Sequence, residues 1–291
     1  MSTITVRLIG GLGNQLFQYA AARALALRHE AQVKLDLSGF ESYGLRRYEL
    51  DAYPIVAGIA TPEEVAAIDT HQPASGLLDR VLARLRPRPA QHYREPHYHY
   101  DPELARQSLP IFMDGYWQSE RYFIDAAHVI RKELTPREVL DPDNAAVAAD
   151  IGKLNAVSLH VRRGDYVSDS HTNSYHGICS LDYYRAAVAY IQDKVAEPHL
   201  FVFSDDHDWT RDNLKLDLPT TYVVANAADR GFRDMQLMSL CRHHVIANSS
   251  FSWWGAWLNP SPAKIVVAPA TWFAASTNDT KDLVPEGWVR L

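Results

Sequence analysis

The hydrophobic pattern of this chain changes period repeatedly, and the changes outline a fold. Ile4 to Ile9 is a short apolar run that predicts a strand. Leu16 to Arg28 then carries apolar residues at 16, 20, 24 and 27, one face of a helix. Gln32 to Leu37 returns to a strand pattern, so the chain opens as a β-loop-α-β unit. Thr61-Pro62-Glu63-Glu64 combines a capping box with a proline at the first helical position and predicts a helix through about Asp69. A helix over Leu77 to Leu85, a long loop from Pro87 to Pro102, a strand from Pro110 to Trp117 and a helix from Glu120 to Leu134 follow. The polar run Thr135 to Asn144, with Pro136 and Pro142, is the best linker candidate.

Beyond that run the alternation is regular. Strands are expected at Ala156 onward, His199 to Phe203, Thr221 to Val224, His244 to Ala247 and Lys264 to Ala268. Helices are expected between them, near Asp182 to Lys194, from about Asp208, over Arg230 to Leu240 and near Trp253 to Leu258. Each half has its own β/α pattern. The expectation is an α/β protein of two Rossmann-like doubly wound domains facing a cleft, residues 1–143 and 144–291. The tail from Pro269, with Trp272 and Trp288, is a candidate to cross back to the first domain.

Composition narrows the class. Of 291 residues, 47% are hydrophobic, enough for a packed core and too many for disorder. A formal net charge of −6 gives no nucleic-acid footprint. Two cysteines, Cys179 and Cys241, argue against a disulfide scaffold. No signal-like N-terminus and no apolar stretch long enough for a spanning helix is present. A soluble cytoplasmic protein without an integral membrane segment is expected, peripheral contact with the inner membrane remaining open.

The chemistry gathers where apolar runs end. Ala-Val-Ser-Leu-His-Val-Arg-Arg-Gly-Asp-Tyr-Val, residues 156–167, leaves the core at His160, and Arg162, Arg163 and Asp165 follow at once. In open α/β sheets ligands sit beyond the carboxyl ends of strands. Two arginines there, one on each face of the extended chain, suit a phosphate-rich ligand through forked hydrogen bonds. Gly10-Gly11-Leu12-Gly13-Asn14-Gln15 lacks the third small residue of a dinucleotide fingerprint, since position 16 is leucine. It reads either as a tight glycine turn or as a turn offering backbone N–H groups and the Asn14 amide to a ligand.

Asp206-x-Asp208 suggests a metal-bound diphosphate or, more simply, a helix cap. Asp234 lies on an amphipathic helix with Met235, Met238 and Leu240 or a nearby residue on its apolar face, and reads as solvated surface or as an acceptor. Ser249, Ser250 and Phe251 stand at a helix N-terminus, a ready anion site. His97-x-His99 lacks further ligands at zinc spacing. Its loop is an aromatic-rich surface that suits a sugar acceptor.

Taken in order, Gly10 to Tyr19, His160-Val161-Arg162-Arg163-Gly164-Asp165-Tyr166, Phe203-Ser204-Asp205-Asp206 and Ala247 to Leu258 resemble the α1,2-fucosyltransferases of glycosyltransferase family 11, of the bacterial kind without an anchor. The resemblance implies a GT-B-like fold with the first domain on the acceptor side and the second on the donor side. It implies GDP-β-L-fucose as donor, inversion at the anomeric carbon, no obligatory metal and a β-galactoside acceptor. It further implies Arg162 as the group that stabilises the leaving diphosphate and His160 at the nucleoside or diphosphate. Asp234 would meet the guanine edge, and Ser249, Ser250 and Phe251 phosphate and fucose. Arg163 would organise the site through Asp165. Asn14 would orient the acceptor or fucose, and Gly11 and Gly13 would belong to the nucleotide-sugar-binding set. Asp165 is the nearest candidate for the general base. A nucleotide-sugar enzyme of other specificity, or a non-catalytic nucleotide-sugar-binding protein, would use the same strand ends.

Overall fold

Both halves of the chain form parallel sheets, as uninterrupted apolar runs joined by helices require. The computed structural model describes residues 2–40, 46–69, 91–163, 177–274 and 278–291. The expected helix at Leu77 to Leu85 and the residues Gly164, Asp165 and Tyr166 lie outside them. Two units form, Met1–Asp51 with Ile55–Glu133, and Ala52–Pro54 with Leu134–Leu291.

In the first unit, β1 (Thr3–Arg7), β2 (Gln32–Asp36), β3 (Gly58–Ile59), β4 (Gln91–Arg94) and β5 (Ile111–Asp114) lie in the order β3-β2-β1-β5-β4, all parallel. Helix α1 (Leu12–His29) makes the first crossover, burying Leu16, Phe17, Tyr19, Leu25 and a row of alanines that lets it lie close to the sheet. It starts four residues before the expected Leu16, because Gly13, Asn14 and Gln15 hide a helical turn behind poor or polar helix formers. The capping box at α2 (Pro62–Asp69) is reciprocal: Glu64 N–H donates to Thr61 Oγ1 and Thr61 N–H to Glu64 Oε2. The loop expected over Pro87 to Pro102 contains β4, a polar strand at the sheet edge. The helix expected over Glu120 to Leu134 is two 3₁₀ turns before α3 (Ala127–Glu133) begins.

In the second unit, β6 (Asn155–Val161), β7 (Pro198–Ser204), β8 (Thr220–Tyr222), β9 (His243–Val245), β10 (Val266–Ala268) and β11 (Val289–Arg290) lie in the order β11-β10-β9-β6-β7-β8, again all parallel. The tail therefore does not leave this unit: it supplies the edge strand β11 beside β10.

Side-chain alternation divides the core. Val157, Leu159 and Val161 pack with Tyr184, Val188 and Ile191 of α5 (Leu181–Lys194). Ala156, Phe201 and Phe203 pack instead with Ile151 of α4 (Pro142–Lys153) and with Leu237 and Met238 of α7 (Gly231–Leu240). Leu237, not the expected Leu240, completes that helix face, since Leu240 is 48% exposed. Among the described residues the unit also holds helices α6 (His207–Asn213) and α8 (Ser250–Leu258); Trp253, Trp254 and Trp257 of α8 are buried. Among the described residues no helix is long and apolar enough to cross a membrane.

Candidate functional site

Strand order in the second unit reverses at β6, which has β7 on one side and β9 on the other. Ligands of such sheets bind outside the carboxyl ends at that switch point. His160 stands there, 4% exposed, on the face of the sheet that meets α7. Its Nδ1 is buried without a hydrogen-bond partner among the described residues. Burial pushes its pKa down to about 4, with Asp205 opposing and Arg162 adding. The imidazole is therefore neutral at pH 7, one ring nitrogen a donor and the other an acceptor. Its ring centroid lies 5.4 Å from that of Phe251, in the first turn of α8 beyond β9.

Parallel register sets the partners of the two arginines. Val161 pairs with Ser204, so the residues after β6 run beside those after β7. Arg162 forms an ion pair with Asp205 at 2.8 Å, both side chains part-exposed. Arg163 donates its backbone N–H to Asp205 at 2.8 Å, and its guanidinium lies 3.4 Å from the Asp206 carboxylate and 3.4 Å over the Trp209 ring. Arg163 is thus organised by Asp206 and Trp209; the expected partner Asp165 lies outside the described residues. Asp206 caps α6, accepting from the Trp209 N–H. Ser249 caps α8, its hydroxyl accepting from the Phe251 N–H, with Ser250 opening the helix. Gly231, at the start of α7, lies against Phe251 so closely that a Cβ there would be 3.4 Å from the ring.

Asp234 in the first turn of α7 accepts from the Asn226 side-chain amide at 2.7 Å, and burial raises its pKa to about 6 against that hydrogen bond. Asn226 is fixed by a reciprocal pair of amide hydrogen bonds with Asn144, 2.9 Å each. Asn144 also donates to Asp141, which caps α4 and pairs with Arg230 at 2.6 Å. Sequence reading found Asp234 but not Asn144 and Asn226, which are 82 residues apart.

In the first unit the order reverses at β1, between β2 and β5. Gly10 alone in the glycine turn has a positive φ, +78°. Gly11 is the N-cap of α1 at φ −77°, and Gly13 and Asn14 lie within the helix, which corrects the expected turn through Gly13. Asn14 Oδ1 accepts from Gln118, beyond β5, at 2.8 Å, and Gln118 in turn accepts from the Tyr98 hydroxyl. A Cβ on Gly10 would lie 2.4 Å from Asn14 Nδ2, one on Gly11 no nearer than 3.6 Å to Arg46. Gly10→Ala is expected to lose about 1–2 kcal/mol from the left-handed backbone alone, with Gly11→Ala near neutral. Equilibrium urea unfolding checks the pair; equal losses would remove this account. The His97 and His99 rings stack at 3.6 Å and His97 Nδ1 meets the His99 carbonyl. Among the described residues no group of three or more His, Cys, Asp or Glu could hold a metal ion.

The two α/β units, each a parallel sheet with polar residues at its switch point, have a GT-B-like fold. Solved structures share this fold. NodZ fucosyltransferase from Bradyrhizobium matches with a TM-score of 0.51 at 15% identity, over 89% of this chain and 94% of that one. A mutant Arabidopsis thaliana FUT1 in complex with GDP matches with a TM-score of 0.51 at 10% identity, over 92% and 70%. The glycosyl transferase family 11 model matches residues 91–291. An α-1,2-colitosyltransferase of Escherichia coli is 32% identical over 100% of this chain and 99% of its own, and the O-antigen biosynthesis glycosyltransferase WbnK of Escherichia coli 34% identical over 98% and 99%. Galactoside α-(1,2)-fucosyltransferase 1 of Saimiri boliviensis boliviensis is 24% identical over 88% of this chain and 65% of its own. The chain belongs to glycosyl transferase family 11.

Proposed function

We propose that the chain is an inverting α1,2-fucosyltransferase, moving L-fucose from GDP-β-L-fucose to the 2-hydroxyl of a β-galactoside in a glycan such as an O-antigen or lactose-type acceptor. The observation that carries this reading is the switch point of the second sheet, where a buried neutral His160 lies beside Phe251 in the first turn of α8 and the Arg162 guanidinium, two residues further on, pairs with Asp205 after β7. A nucleoside diphosphate needs such a combination: a ring contact, forked donors and a helix N-terminus. As the glycosidic bond to the diphosphate breaks, its electron pair leaves on phosphate, and a preorganised guanidinium stabilises the growing charge. Arg162 takes that role. His160 meets nucleoside or diphosphate, Asp234 the guanine edge, and Ser249, Ser250 and Phe251 phosphate and fucose. Gly11 and Gly13 belong to the nucleotide-sugar-binding set, and Asn14 orients the acceptor or fucose.

The 1,2 linkage is supported by the names of two relatives that differ in the sugar they transfer. A colitosyl donor is the second reading, favoured by the end-to-end similarity to the colitosyltransferase. Colitose lacks the 3-hydroxyl of fucose, so the two donors differ by one hydrogen-bonding group. Parallel assays with GDP-fucose and GDP-colitose on lactose, N-acetyllactosamine and type 1 disaccharides, with linkage read by NMR, decide between them. No transfer from either donor would overturn the proposal and leave a nucleotide-sugar-binding role.

The reading includes turnover without an obligatory metal. Asp205 and Asp206 after β7 are committed to Arg162, Arg163 and the α6 cap, and the exposed Asp208 pairs with Arg211 at 3.3 Å. Activity is expected to survive EDTA undiminished; a loss restored by Mg²⁺ or Mn²⁺ would reinstate a metal-bound diphosphate.

A further inference from the structure

We propose that the ring of Tyr116 is the platform on which the acceptor's galactose stacks, a residue that sets acceptor specificity. This rests on the transfer reading above and names a contact that reading leaves open. Tyr116 stands two residues beyond β5, at the carboxyl end of the first unit's sheet. β5 lies beside β1, where the strand order reverses, and ligands of parallel sheets bind at that end of the switch point. Among the described residues Tyr116 is the one exposed Phe, Tyr or Trp, at 37%. Its neighbour Trp117 is fully buried, stacked on Tyr93 at 6.3 Å and edge-on to Tyr122 at 5.5 Å.

The segment that carries the exposed ring is tied at every residue. The Gly115 carbonyl accepts from Gln18 Nε2 at 3.1 Å, and Gln18 Oε1 accepts from the Ile9 N–H at 3.1 Å. One buried amide thus joins the chain after β5 to the chain after β1, the two sides of the switch point. The Tyr116 and Trp117 N–H groups donate to the Glu95 carboxylate at 2.7 and 3.0 Å. A Cβ on Gly115 would sit 2.4 Å from Glu95 Cβ, so only glycine lets that backbone approach. Trp117 is held at φ +56°, a left-handed conformation that a bulky residue keeps only where its surroundings over-determine it, and such residues collect at functional sites. Gln118 donates to Asn14 at 2.8 Å and accepts from the Tyr98 hydroxyl, which carries the segment into the cluster at the glycine turn.

Apolar ring surface left in water is unfavourable, and a slack turn would let the ring fold back onto the protein. Here the anchors on both sides hold it out. A tyrosine on a fixed backbone offers a rigid, amphipathic contact area that loses little conformational entropy when a ligand lands on it. A β-galactopyranoside matches such a surface. Its axial 4-hydroxyl stands on one face and leaves the hydrogens of C3, C4 and C5 together on the other, an apolar patch that packs on the electron-rich face of an aromatic ring. In a glucopyranoside the C4 hydrogen moves to the opposite face and the patch is broken. The 2-hydroxyl lies on the ring edge outside the patch, so stacking leaves the reacting group uncovered.

The test is transfer kinetics on the galactosides above for wild type, Tyr116→Phe, Tyr116→Leu and Tyr116→Ala, with acceptor binding read separately by saturation-transfer NMR. Acceptor KM is expected to rise in that order, reaching about tenfold at alanine. A contact made equally in ground and transition states moves KM and not kcat, so kcat at saturating acceptor and Kd for GDP-fucose should hold. Galactose H3, H4 and H5 are expected to take up the most saturation from wild type, and a β-glucoside control little. An acceptor KM indifferent to alanine, a phenylalanine variant as impaired as alanine, or GDP-fucose affinity that falls in parallel would overturn the platform alone. Wild type that binds galactosides through Tyr116 and transfers from neither donor would overturn the transfer reading and leave the platform standing. Wild type that binds none of them would overturn both.

Discussion

Arg162→Ala is expected to remove nearly all transfer while leaving the protein folded. Losing one preorganised donor at a site of developing negative charge typically lowers kcat by about 10²- to 10³-fold, and a full guanidinium facing a diphosphate sets the upper end of that range. Arg162→Lys is expected to rescue little, because an ammonium cannot fork across two phosphate oxygens. The fold should tolerate either change. Asp205, left behind, is 25% exposed and keeps the Arg163 N–H as a donor, so water screens the charge it retains.

Arg163→Ala should show the opposite balance. Arg163 stacks on Trp209 and pairs with Asp206, so its loss should lower the melting temperature more than Arg162→Ala does and act on kcat only through a displaced strand end. Single-turnover kinetics with GDP-fucose, GDP titration and thermal melts on both variants separate these roles. Wild-type turnover in Arg162→Ala would exclude it as the leaving-group stabiliser.

The end of β6 was legible from sequence because two signals coincide there. An apolar run long enough to be buried on both faces stops at a histidine, and charge follows within two residues. What faced Arg162 was harder to see, since Asp205 is a neighbour only through the parallel register that sets Val161 beside Ser204. Both motifs were visible, and pairing their ends required the strand order. The start of α1 was obscured by residues whose propensity opposes helix: Gly13 and Asn14 occupy its first turn, and Gly11 caps it without a side chain. β4 was hidden by its chemistry. Gln91-His92-Tyr93-Arg94 is an edge strand of polar residues without an apolar run, so the one carboxylate at its end passed as part of a loop. Asn144 and Asn226 gave no signal, because their effect depends on an amide pairing between residues distant in sequence.

That amide pair sets the second large effect. Asp234→Ala is expected to weaken GDP-fucose binding about a hundredfold, from two hydrogen bonds to a charged group at roughly 1.5 kcal/mol or more each, and to erase preference for GDP over ADP. Guanine offers N1–H and N2–H side by side, which a carboxylate accepts with two oxygens, whereas adenine offers no such pair. Asn226, already spending its own oxygen on Asn144, can only donate to Asp234.

The recognition should titrate, and its sign follows from burial. With its pKa raised to about 6, Asp234 is ionised above that pH, the form that would accept both guanine donors under the proposed reading. As pH falls through 6 it gains a proton, and donor affinity should fall with it. Stability of the free chain should move the other way. Between the unfolded and the raised folded pKa the native state binds more protons, so this group favours folding at the lower pH and the contribution fades as pH rises through about 6. His160, lowered to about 4, stays neutral across the window, and the Arg230–Asp141 pair nearby keeps its charges because Asn144 holds Asp141 well below the usual carboxylate range. Asn226→Ala, which removes the hydrogen bond that favours the ionised form, should shift the binding midpoint to higher pH. Calorimetry with GDP-fucose, whose diphosphate oxygens do not titrate near pH 6, reads this in both chains. An affinity that is flat from pH 5 to pH 8, or a midpoint that Asn226→Ala leaves in place, would take guanine recognition away from Asp234.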